Sequence, residues 1–188
     1  TGRFRDRLVE TIRAHPGVAV VDVDADAVER DGLTDPPAAT DRRAPTPPVD
    51  ATFPPEAYEA CLTADQASAV AALERLQGDG VAVVVEADRG RGKSAAAGLA
   101  AGSLAADGRD VLVTAPAYRN AAEVFDRAAA LLDALDLNAG LDETAHVLTS
   151  TSGGRVRFLD PEPAAGLPEE PDAVIVDEAA ALPVARLE

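Results

Sequence analysis

The sequence predicts an α/β domain, a parallel sheet with flanking helices, and three observations predict it. Strand and helix patterns alternate from Leu62 onward. A continuous apolar run, Val81-Ala-Val-Val-Val-Glu86, leads through a glycine-rich loop into an alanine-rich helix. A second apolar run, Ala173-Val-Ile-Val176, ends in two adjacent carboxylates, Asp177 and Glu178. With 188 residues the chain has room for one such domain and part of another.

Taken in order, Phe4 to Asp26 reads as a short amphipathic helix carrying Leu8 and Ile12, then a strand at Val18–Val23. Residues 1–33 are too few for a domain and read as the end of a preceding α/β domain. Half of the 14 prolines fall between Thr34 and Pro55, so residues 34–57 read as a linker. Residues 58–188 form the main domain. The start at Thr1 and the stop at Glu188, directly after a hydrophobic segment, read as cuts from a longer protein.

Thr63-Ala-Asp-Gln66 is a capping box, which starts a helix presenting Val70, Leu73 and Leu76 until Gly78 and Gly80 end it. The Val81–Glu86 run suits a strand buried on both faces. The next helix, from Lys93 to about Ala106, is rich in alanine and glycine, so it can lie close to the sheet. Val111–Thr114 is a strand broken by Pro116. Ala121, Phe125, Ala128, Leu132 and Leu135 then make one stripe of an amphipathic helix. Val156–Leu159 and Ala173–Val176 add two short strands.

Composition narrows the classes. No apolar run approaches the roughly 20 residues of a membrane span, and the N-terminus lacks a signal-peptide core. Cys61 is the single cysteine, which fits a reducing compartment, the cytoplasm by default. Its setting favours a packed apolar role over a nucleophile. The net charge of −16 argues against binding nucleic acid by bulk charge, although Arg89 and Arg91 could act locally. The acidic, arginine-over-lysine bias resembles that of proteins from extreme halophiles. Among 17 basic residues the single lysine is Lys93, as expected where a compact ammonium is required and a planar guanidinium does not fit.

The loop Ala87-Asp88-Arg89-Gly90-Arg91-Gly92-Lys93-Ser94, between a strand and a helix, has the form of a phosphate-binding loop. Ala87 stands where the strict pattern has glycine. Backbone amides from Ala87 to Ala95 would face phosphate oxygens, with the positive helix end behind them. Lys93 would reach the β and γ phosphates, and Ser94 would coordinate Mg²⁺. At the end of the later strand Asp177 would hold the magnesium through its water shell, and Glu178 would polarise the attacking water as the catalytic carboxylate. The fold predicted from these features is that of a P-loop NTPase.

Leu62-Thr-Ala-Asp-Gln66, the loop, Val113-Thr-Ala-Pro116 and Val176-Asp-Glu-Ala-Ala180 follow one another as the first motifs do in superfamily 1 helicase-like ATPases, which are RecA-like. The combination resembles the tRNA(Met) cytidine acetyltransferase family, above all in the loop string and in Val176–Pro183. The resemblance implies ATP as the nucleotide and acetyl-CoA as the acetyl donor of the whole protein. The product it implies is N4-acetylcytidine in tRNA, with RNA as partner. It further implies that Gln66 contacts adenine and that Thr114 and Pro116 face RNA. By their residues alone, Gln66 is equally a helix cap and Thr114–Pro116 a strand-ending turn. Tyr118, a lone aromatic at a helix start, reads as a packing residue. The alternative is a DNA or RNA helicase, or another superfamily 1-like nucleic-acid-dependent ATPase, with the same motifs. Acetyl transfer is not expected of these 188 residues alone.

Overall fold

The structure, a computed structural model, describes residues 10–11, 18–31, 46–88 and 90–183. The chain divides into two compact units, Thr1–Arg43 and Ala44–Glu188. In the first, β1 (Val20–Asp22) and β2 (Ala27–Arg30) pair as an antiparallel hairpin. The strand is shorter than its apolar run, because Val23 belongs to the turn and is exposed. Leu8 and Ile12 of the expected helix lie outside the described residues.

The second unit contains α1 (Pro55–Glu59), α2 (Ala64–Leu73) prolonged by a 3-10 turn at Glu74–Gln77, and α3 (Lys93–Ala106). Then come β3 (Asp110–Thr114), α4 (Tyr118–Ala134), β4 (Asn138–Asp142), β5 (Val147–Ser150), β6 (Arg155–Phe158), α5 (Pro161–Ala164) and β7 (Ala173–Val176). The strand order is β4-β5-β6-β3-β7. β3 runs parallel to β6 and β7, whereas β5 is antiparallel to both β4 and β6. The expected parallel sheet is therefore mixed. Its parallel half is the part announced by apolar runs. The β4–β5 hairpin escaped the sequence because Asn138-Ala-Gly-Leu-Asp142 is largely exposed and poor in strand-favouring residues.

A second correction concerns Val81–Glu86. The run is not a strand of the sheet; β7 pairs with β3 alone among the described residues. Val83 and Val85 pack on the core, while Val84 is 90 % exposed. A run apolar at every position from Val81 to Val85 is thus used on one side only, and periodicity could not reveal which.

Helices α3 and α4 pack on each other and on β3, β5 and β6, so they share one face of the sheet. Val111 and Val113 join that core, and Leu112, equally buried, points to the opposite face. The stripe of α4 buries Ala121, Phe125, Ala128 and Leu132 as expected and is widened by Val124 and Leu131. The small residues of α3 let it lie close to the sheet, as expected, and its glycines serve a second neighbour: a Cβ at Gly98 would sit 2.5 Å from the Val124 carbonyl oxygen, and one at Gly102 would sit 3.1 Å from Ala128 Cα. At these glycines the close approach is to α4, helix against helix.

Two polar networks fasten the edges. The Glu74 carboxylate accepts hydrogen bonds from the Thr52 and Phe53 N–H groups (3.0 and 2.9 Å) and from the Tyr58 hydroxyl (2.6 Å). This pins the end of the proline-rich segment, where Phe53, Ala57 and Tyr58 are buried in the core. On the face opposite α3 and α4, Asp110 accepts from Arg155 (2.8 Å) and from the buried Arg157 (2.9 Å). Arg157 also donates to the Pro168 carbonyl, and Arg155 pairs with Glu169. The buried guanidinium is thereby paired, which avoids the desolvation cost of an isolated charge.

Candidate functional site

The loop before α3 is shaped by two glycines in the left-handed region, Gly90 at φ 79° and Gly92 at φ 82°. Gly92 is the N-cap of α3 and offers no side chain to the first amides of the helix. Those amides and the positive helix end therefore remain available to an anion. Gly92 is doubly constrained, because a Cβ there would also lie 1.9 Å from Gln66 Nε2. Gln66 is thus packed against the loop although it precedes the loop's Gly92 by 26 residues in sequence.

Gln66 also caps α2. Thr63 Oγ1 accepts from the Gln66 N–H (3.2 Å), while Gln66 Oε1 accepts from the Leu62 N–H (2.7 Å), one residue before the reciprocal partner of a capping box. The amide oxygen is committed to this bond, and the amide nitrogen is the end that meets the loop.

Lys93 is the first residue of α3, and its Nζ donates to the carbonyl oxygens of Ala87 (2.5 Å) and Asp88 (3.0 Å). The ammonium is therefore drawn over the loop. A cleft of about 560 Å³ is lined by Gln66, Ala87, Asp88, Arg91, Gly92 and Lys93, with Asp65, Ala69, Val85 and Glu86 completing the wall. Ser94 is half-buried and Ala95 buried in the first turn of α3; neither lines the cleft. Arg89 lies outside the described residues.

The second group forms where β7 ends beside β3. The Asp177 N–H donates to the Thr114 carbonyl (2.9 Å), extending the parallel ladder by one bond. Asp177 Oδ1 accepts from the Glu178 N–H (2.9 Å). Its other oxygen, Oδ2, is buried and has no hydrogen-bond partner among the described residues, and the same holds for Thr114 Oγ1. Glu178 takes a left-handed conformation (φ 51°, ψ 38°), uncommon for a side chain of its size. Its Oε2 accepts from Asn120 Nδ2 at 2.6 Å. Asp177 and Glu178 do not line the cleft at Lys93. Pro116 borders a separate hollow of about 430 Å³ with Asp160, Pro161, Glu162 and Ala181–Pro183.

Asn120 was not legible as a partner of Glu178, since an asparagine at the edge of an amphipathic stripe carries no signal of its own. The stacking of Tyr118 on His146 was equally hidden: ring centroids are 3.6 Å apart at 11°, with Phe125 and Phe158 around Tyr118. Tyr118 is thus a packing residue. Cys61 is buried, its Sγ donates to the Ala57 carbonyl, and burial pushes its thiol pKa up, so no reactive thiolate is favoured.

Residues 84–188 match the family model described as RNA cytidine acetyltransferase NAT10/TcmA, helicase domain. The whole chain aligns with the tRNA(Met) cytidine acetyltransferase TmcA of Haloarcula marismortui at 60 % identity, covering 24 % of that protein. The TmcA of Haloferax volcanii is 57 % identical over the whole chain and 25 % of its own length. That of Pyrococcus abyssi is 32 % identical over 97 % of this chain and 23 % of its own length. The chain spans about a quarter of the length of these curated relatives. Among the described residues, no helix is long and apolar enough to cross a membrane.

Proposed function

The chain belongs to the RNA cytidine acetyltransferase family, and from that premise we propose that it is the ATP-binding module, with a P-loop RecA-like core, of an enzyme that acetylates cytidine in tRNA(Met). The relatives' names favour this over a translocating helicase with the same motifs. In this reading residues 58–188 are the ATPase module, residues 34–57 connect it, and residues 1–33 close a preceding domain. The whole protein takes acetyl-CoA at a site outside these residues and works in the cytoplasm.

The observation that carries the reading is the only lysine of the chain, seated at the first position of α3 over a loop bent by Gly90 and Gly92. The residues fit Mg-ATP. Lys93 and the loop amides would hold the phosphates by charge-assisted hydrogen bonds. Gln66, packed on Gly92, would present its amide nitrogen to the base. Ser94 and Asp177 would hold the magnesium ion, and the buried Asp177 Oδ2, without a hydrogen-bond partner among the described residues, is an acceptor suited to that shell. Bound magnesium would neutralise phosphate charge during hydrolysis. Glu178 would orient water, and Thr114 and Pro116 would lie on the RNA side.

The test uses the full-length protein with acetyl-CoA, ATP and tRNA(Met), reading N4-acetylcytidine by mass spectrometry. Wild type should form the product, and Lys93→Ala should lower its yield at least about tenfold. Undiminished acetylation by a folded Lys93→Ala protein would contradict a role for this loop.

A further inference from the structure

The cleft at Lys93 is walled by two elements. Its loop side carries Glu86, Asp88 and the residues up to Lys93, whereas Asp65, Gln66 and Ala69 come from the first turns of α2. Gln66 is only 8 % exposed, and its Oε1 is turned to the Leu62 N–H at 2.7 Å. Because a backbone N–H can only donate, this contact fixes which end of the amide is oxygen. Nε2 is left as the end on the loop side, with no acceptor among the described residues. Asp65, the next residue of the same turn, is exposed and makes no ion pair among the described residues. Of the three carboxylates on the cleft, Asp65 alone stands on the helix that carries Gln66.

We propose that Asp65 is the residue that chooses the base, its carboxylate accepting from an amino group at C6 of a purine whose N7 accepts from Gln66 Nε2. This rests on the ATPase reading above and adds the source of its base specificity. A donor at N7 does not distinguish purines, since adenine and its 6-oxo counterparts all present N7 as an acceptor. The atom beside N7 does distinguish them: adenine carries N6–H donors there, and a 6-oxopurine carries the acceptor O6. An ionised carboxylate can only accept, so Asp65 rewards the amino group and sets oxygen against oxygen when O6 takes its place. Pyrimidines offer no N7 to Gln66. Ala69, on the same helix, and Val85 supply half-buried apolar surface for the face of the ring.

The experiment is equilibrium binding to the full-length protein in molar KCl, comparing Mg-ATP, Mg-ITP, whose base carries O6 in place of the amino group, and an ATP analogue with carbon in place of N7. Wild type should bind ATP about tenfold more tightly than ITP and at least about threefold more tightly than the analogue. Asp65→Asn, whose amide offers an acceptor to N6–H or a donor to O6, should bring the ITP and ATP dissociation constants to within about twofold of each other. Asp65→Glu, still acceptor-only, should keep them at least about fivefold apart. The ratio is the readout because a carboxylate in the first turn of α2 also favours the helix dipole, a role blind to the base. A wild-type ratio in Asp65→Asn would overturn the assignment, as would equal affinity of wild type for ATP and ITP, or for ATP and the analogue. Lys93→Ala separates the two failures. If it weakens both nucleotides about tenfold while Asp65→Asn keeps the wild-type ratio, only the assignment of Asp65 is wrong. If Lys93→Ala binds both nucleotides as wild type does, the ATPase reading fails and the assignment with it.

Discussion

Glu74 shows how one side chain can hold a segment that composition marks as a linker. Burial alone would raise its pKa, but hydrogen bonds from the Tyr58 hydroxyl and from the Phe53 and Thr52 N–H groups outweigh that and hold it below the usual range. Asp110 behaves likewise: burial raises its pKa, and Arg157 and Arg155 more than reverse the effect. Both carboxylates are therefore depressed on folding. Their stabilisation is complete above the unfolded values of about 4, and it is lost as pH falls through the lower folded values. Glu74→Gln, which keeps an acceptor but loses the charge, should cost about 1 to 2 kcal/mol at neutral pH and flatten the acid limb of a urea-midpoint-against-pH curve. A variant as acid-sensitive as wild type would show that Glu74 is not the titrating group. None of this was legible in Thr52–Glu74, because the partners are brought together only by the packing of α1 on α2.

Among the elements, α3 is the one whose limits could be read. Gly92 cannot continue a helix backward at φ 82°, and Asp107-Gly108 stops it forward. What could not be read was which neighbour its glycines face, since alanine and glycine on every side leave no amphipathic direction. The structure answers with α4, and a substitution there sets two effects against each other. Gly98→Ala gains about 1 kcal/mol of helix propensity. The added Cβ would lie 2.5 Å from the Val124 carbonyl and 2.7 Å from Arg127 Cβ, and overpacking of that kind costs about 1 to 3 kcal/mol. Net destabilisation is expected, read as a lower urea midpoint with an unchanged slope. A more stable variant would mean that α3 and α4 separate without cost. Val81–Glu86 is the counter-case: its composition suited a doubly buried strand, but pairing is a property of two chains of residues, and no neighbour in the sheet was visible from one of them.

For the whole molecule, the parallel strands and the loop-to-helix junction were legible because each is a local pattern. The antiparallel β4–β5 hairpin and the Asn120–Glu178 contact were not, because they depend on exposed residues or distant partners. Charge acts at this scale too. A net charge of −16 on 188 residues repels itself at low ionic strength. The melting temperature should therefore rise as KCl is increased to molar concentration, and a melting curve indifferent to salt would remove the halophilic reading of the composition.

The proposed function requires that the loop ending at Lys93 hold nucleotide phosphates. Equilibrium binding of Mg-ATP in molar KCl, compared between the full-length protein and its Lys93→Ala variant with Mg-GTP as competitor, tests it most directly. Wild type should bind saturably, the variant at least about tenfold more weakly, and GTP should displace ATP poorly. Equal affinity of the two folded proteins for Mg-ATP would contradict it.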